Sequence, residues 1–103
     1  MKKYLIYRAP KQADRDLNQH ELVGVEYGET IHAAADAIIR AVKDDLSGNP
    51  DYSGCDVYAY APEPVRADER PQRYQYVVTG VVSPVSAKEN ILVEYGVMEQ
   101  GKI

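Results

Sequence analysis

Apolar side chains recur at helical spacing in one stretch of this chain and at strand spacing in most of the rest. Between Thr30 and Leu46, the residues Ile31, Ala35, Ile38, Val42 and Leu46 fall at steps of four, three, four and four. One narrow apolar stripe at this period predicts an amphipathic helix over 30–46. His32, Asp36, Arg40, Lys43 and Asp44 take its other faces. Thr30 has the chemistry of an N-cap, and Gly48 followed by Asn49-Pro50 supplies the stop.

Five segments carry strand signals. Lys3–Arg8 (KYLIYR) is the first, and Glu21–Tyr27 (ELVGVEY) is the second, with Val23 and Val25 on one face and Leu22 and Glu26 on the other. Gly24 inside that run marks a bulge or the close approach of another backbone. Cys55–Ala61 (CDVYAYA) alternates strictly, with Cys55, Val57, Ala59 and Ala61 opposite Asp56, Tyr58 and Tyr60. Small residues let a helix sit close, so the Cys55 face is assigned to the helix. Arg73–Ser83 and Asn90–Glu99 complete the set. Two polar stretches, 9–20 and 61–72, read as long loops, the second holding Pro62, Pro64 and Pro71.

The resulting order is β-β-α-β-β-β. Three consecutive strands suggest an antiparallel meander. The expected fold is α+β in two layers, one helix packed on a mainly antiparallel sheet of four to five strands. At 103 residues the chain is expected to be a single domain spanning 1–103.

One helix covers one face of a sheet, yet the segment RYQYVVTGVVSP at 73–84 is apolar on both of its faces. If Val77, Thr79 and Val81 meet the helix, then Tyr74, Tyr76, Val78 and Val82 point away from it. Tyr58 and Tyr60 join that outer face by the assignment of their strand. In the last strand, Glu94 places Leu92, Glu94 and Met98 outward too. Contiguous exposed apolar surface marks an interface more often than it stands bare, and tyrosine is enriched there. The expected association is therefore a homodimer through a tyrosine-rich sheet face or a strand edge, with Tyr58, Tyr60, Tyr74, Tyr76 and Val78 as its residues. Loops folding over the face are the competing explanation.

Composition narrows the chemistry. Nine tyrosines, no Phe and no Trp make the core aliphatic plus tyrosine. A net charge of −4 disfavours a polyanionic partner. Arg66, Arg70 and Arg73 beside the tyrosines imitate a single-strand nucleic-acid platform, but Glu63, Asp68 and Glu69 interrupt them. The single cysteine, Cys55, excludes an internal disulfide and Cys-based metal cages, and suits a reducing, cytoplasmic setting. Neither His20 nor His32 stands at a spacing that pairs it with Cys55 or with a metal. The DRDLN run at 14–18 opens like a calcium loop, but Gln19 stands where glycine is required and Val25 where the closing Glu belongs. No apolar run reaches the roughly 18 residues of a membrane span, and no motif is specific enough to name a family. The expectation is a small non-catalytic protein acting through protein contacts, with no cofactor and no metal. The alternative is a small-molecule binder or enzyme with a pocket between the sheet and the 61–72 loop, where tyrosines and Arg66, Arg70 and Arg73 would orient an anionic or aromatic ligand.

Overall fold

A computed structural model describes residues 1–8, 20–65, 74–85 and 89–102. The element order is β1 (Lys2–Arg8), β2 (Glu21–Gly28), α1 (Ile31–Ser47), a 3₁₀ turn at Pro50–Tyr52, β3 (Asp56–Ala59), β4 (Glu63–Pro64), β5 (Tyr76–Ser83) and β6 (Ile91–Lys102). The two-residue β4 is an addition to the elements expected from sequence. It pairs with β5 through Glu63↔Val77 and Pro64↔Tyr76. Arg66, Arg70 and Arg73 lie outside the described residues, as does the DRDLN run.

All pairings are antiparallel, in the order β2-β1-β6-β5-β3, with β4 beside β3 on β5. The meander of β3, β5 and β6 is present, and its last strand returns to the centre of the sheet. β6 is long enough to serve both halves. Its residues 95–102 pair with β1, and its residues 91–97 pair with β5. The sheet is therefore staggered, with β1 and β2 against one end of β6 and β3 and β5 against the other.

The helix begins where Thr30 Oγ1 accepts the amide of Ala33 at 3.1 Å. It ends at Gly48, whose amide still donates to the Asp44 carbonyl at 3.0 Å. Asn49 then caps the 3₁₀ turn by accepting the Asp51 amide at 2.9 Å. Ala34, Ile38, Val42 and Leu46 form the buried stripe. Ala34 rather than Ala35 leads it, because the first turn sits hard against Gly28: a Cβ there would lie 3.0 Å from Ala34 Cβ.

Under the helix lie Tyr4 and Ile6 of β1, Ala59 of β3, Val78 and Val82 of β5, and Tyr95 and Val97 of β6. Two expectations are corrected here. Val78 and Val82 face the helix, not solvent, and Val77, Thr79 and Val81 take the other face. Gly80 explains why: a Cβ at this position would lie 2.8 Å from Leu46 Cδ1, so the last turn of α1 needs a bare backbone on the inner face of β5. In β2, Ile6↔Gly24 is followed by Tyr7↔Leu22, which leaves Val23 as an extra residue. Val23 packs against the core, while Leu22 and Val25 share the outer face with Tyr7 and Leu5, their partners on β1.

Two polar clusters fasten the inner layer. Asp45 of α1 accepts both Arg8 Nη1 contacts, at 2.9 and 3.0 Å, and the Tyr95 hydroxyl at 2.6 Å. Arg8 also pairs with Glu21. At the opposite end, the Tyr4 hydroxyl donates to Glu99 Oε1 at 3.2 Å, and Lys2 approaches the same oxygen at 3.5 Å.

Candidate functional site

The face of the sheet away from the helix divides into two halves with different cover. On the β1–β2 half, Gly96 of β6 makes room for a tyrosine ring. A Cβ at Gly96 would lie 2.5 Å from Tyr74 Cγ and Cδ2, so the ring rests on bare backbone. Tyr7, cross-strand from Gly96, has its ring centroid 5.7 Å from that of Tyr74. The His20 ring stacks nearly parallel to Tyr74, with centroids 5.5 Å apart, and its Nδ1 shares a hydrogen bond with the Tyr74 hydroxyl at 2.5 Å. Tyr74 is consequently buried although it lies on the outer face.

The β3–β5 half carries no such cover among the described residues. The register sets Tyr58 opposite Val81 and Val81 opposite Leu92, which makes one apolar row across three strands. Its flanks are open, with Tyr58 55% and Leu92 68% exposed. The next row joins Thr79 to Glu94, with Tyr60 bonded to the Thr79 carbonyl through its amide at 3.0 Å. Tyr58 and Tyr60 meet edge to face, with centroids 5.1 Å apart.

Where β3 gives way to β4, the sheet edge opens into a shallow pocket of about 220 Å³, lined by Tyr60, Ala61, Glu63, Val77 and Thr79. It lies between the outer face and the segment that starts the 61–72 stretch. Its described lining contains a carboxylate and no cation.

The residues singled out from sequence thus part company. Tyr58 and Tyr60 lie side by side on the outer face. Tyr74 is on the same side of the sheet but is enclosed by His20, Tyr7 and Gly96. Tyr76 and Val78 are not on the outer face. Val78 is fully buried in the core, and Tyr76 is half-buried at its margin, edge-on to Tyr4 at 6.4 Å. A charge at Tyr76 would therefore strike the core margin rather than the outer face. Val81, Leu92, Thr79 and Glu63 join the site without any mark in their own segments. The signal that would have found them is cross-strand register.

Cys55 is half-buried, and its thiol lies 4.0 Å from the Ser53 carbonyl oxygen. No group of three metal-ligating side chains occurs among the described residues. No described helix is long and apolar enough to cross a membrane. Burial and the adjacent Glu99 charge push the Tyr4 hydroxyl up to about 12. Burial and Asp45 push Tyr95 higher still; its hydroxyl locks β6 to the helix, while that of Tyr4 ties β1 to β6 within the sheet. Comparison with protein-family models, curated proteins and solved structures gave no match.

Proposed function

We propose that this protein works through contacts rather than chemistry, pairing with a second copy of itself across the outer face of its sheet. The observation that carries this reading is the row Tyr58–Val81–Leu92, continuous across β3, β5 and β6, with Tyr58 and Leu92 exposed on either side of a buried Val81. A row of this kind buries aromatic and aliphatic surface, and tyrosine supplies large contact area with only two χ angles to fix. The three strands of the open half, at about 4.8 Å each and roughly eight residues at about 3.3 Å, give a face of about 400 Å² per protomer. Two such faces reach about 800 Å², the size of a weak, concentration-dependent interface rather than a permanent one. A two-fold pair is the commonest solution and uses one patch on both copies. A reducing, cytoplasmic setting suits the free thiol of Cys55.

Light scattering on a sizing column across a dilution series tests this. The wild-type chain should pass between twice its 11.5 kDa and the single mass as it is diluted. Leu92→Asp should remain at the single mass with an unchanged melting temperature, because Leu92 is 68% exposed. A wild-type chain that holds the single mass at every concentration would overturn the reading.

A further inference from the structure

The pocket beside the exposed row has a chemistry of its own. Val77 and Ala61 are its apolar lining residues, and Tyr60, Glu63 and Thr79, with two hydroxyls and a carboxylate, are its polar ones. None of these three groups has a hydrogen-bond or ion-pair partner among the described residues. Glu94, opposite Thr79 on β6, is exposed on the far side of β5 and does not line the pocket. A carboxylate only accepts hydrogen bonds, and a hydroxyl accepts as readily as it donates. An aromatic ring adds a face that attracts cations. Among the described lining residues acceptors thus outnumber donors, and the Glu63 carboxylate is the one charged group.

We propose that this pocket binds a small organic cation of the alkylguanidinium or alkylammonium class, with Glu63 as the charge partner and Val77 beneath the alkyl portion. The same group arrives either as a free small molecule or as the end of an arginine or lysine side chain of a protein partner. The site does not depend on self-association, although Tyr60 and Thr79 border both.

The test uses the full ¹⁵N-labelled chain carrying Leu92→Asp, so that association does not intervene. Ethylguanidinium is titrated beside its neutral counterpart, ethylurea, and the amide shifts of Tyr60, Ala61, Glu63, Val77 and Thr79 are followed. Ethylguanidinium should give saturable shifts confined to these residues, and ethylurea should bind several-fold more weakly. Glu63→Gln should weaken the cation at least threefold, which is the scale of an exposed ion pair. Asp36→Asn, a charge change on an exposed helix position, should leave binding unchanged. Val77→Phe should fill the pocket and abolish the shifts. A blocked tripeptide with a central arginine separates the two sources: tighter binding than ethylguanidinium assigns the cation to a protein partner, and equal binding assigns it to a free molecule. Shifts of equal size with ethylurea, or the same loss from Asp36→Asn as from Glu63→Gln, would overturn the proposal. So would the absence of saturable shifts at the pocket.

Discussion

Replacing Gly96 by alanine adds one methyl group where the structure leaves no room for it. The new Cβ would lie 2.5 Å from two ring atoms of Tyr74 and 2.7 Å from a third. Ordinary carbon contacts lie near 3.5–4.0 Å, so the ring must retreat by about 1 Å or leave. Retreat within the cluster is overpacking, at about 1–3 kcal/mol. Departure to solvent gives up the burial of an aromatic side chain, about 1.5–3 kcal/mol, and breaks the hydrogen bond to His20. Against either stands the relief of a strand glycine, about 0.5–1 kcal/mol in favour of alanine. The net expectation is a loss of about 1–2 kcal/mol. At roughly 4–8 °C per kcal/mol for a domain of this size, the melting temperature should fall by about 5–15 °C. Urea denaturation followed by circular dichroism measures the loss, with an unchanged slope indicating the same unfolded surface. The decisive arm is the same substitution in a Tyr74→Ala background. With the ring gone, Gly96→Ala should become neutral or stabilising, and the cycle should show the coupling directly. An equal cost in both backgrounds would refute the assignment of this glycine to the tyrosine.

Asp45→Ala should cost about 2–3 kcal/mol in urea denaturation, since the buried Tyr95 hydroxyl loses its acceptor and Arg8 loses a bidentate partner. Asp45→Asn keeps an acceptor for Tyr95 and should recover part of the loss. Stability should also fall in alkali. The Tyr4 hydroxyl titrates near 10 when unfolded and is pushed up to about 12 in the fold, by burial first and Glu99 second. Between those values the unfolded chain has released this proton and the native chain still holds it, so the contribution is complete below pH 10 and lost by about pH 12. Melting temperatures measured from pH 9 to 12 should decline less steeply for Tyr4→Phe than for the wild type.

The helix and the strands were legible because each has a local signal of the right period. The stripe from Ile31 to Leu46 and the cap at Thr30 are of this kind, and so is the alternation in β3. Which face of β5 turns inward was not legible from polarity, because Val77, Val78, Val81 and Val82 leave both faces apolar. The deciding residue is Gly80. The small-residue argument that placed Ala59 under the helix applies equally to Gly80, its cross-strand partner on β5. Applied there, it turns Val78 and Val82 inward and sends Val81 outward beside Tyr58. Tyrosine misled for a related reason: the ring of Tyr76 packs at the core margin, and Tyr74 is buried on the outer face by a glycine twenty-two residues away in sequence. Register between distant strands decides both, and no single segment contains that information.

The stagger of β6 accounts for where the open surface falls. Tyr74 lies over the shared stretch of β6 at Gly96, with Tyr7 of β1 and His20 at the entry to β2 beside it. The rows that begin at Thr79 and Val81 are cross-strand from Glu94 and Leu92, beyond the last β6 residue that β1 pairs with, Tyr95 at Arg8. They lie too far along the central strand for the Tyr74 cluster to cover. The apolar row lies in the half of the sheet that β1 does not reach, and the pocket straddles the boundary: Thr79 is beyond β1, while Val77 is cross-strand from Gly96, the partner of Tyr7. A second copy seated on the row would crowd Tyr60 and Thr79, and a cation seated in the pocket would occupy the same two residues. Each ligand would then weaken the other by the same factor, as linkage requires of two partners competing for one surface.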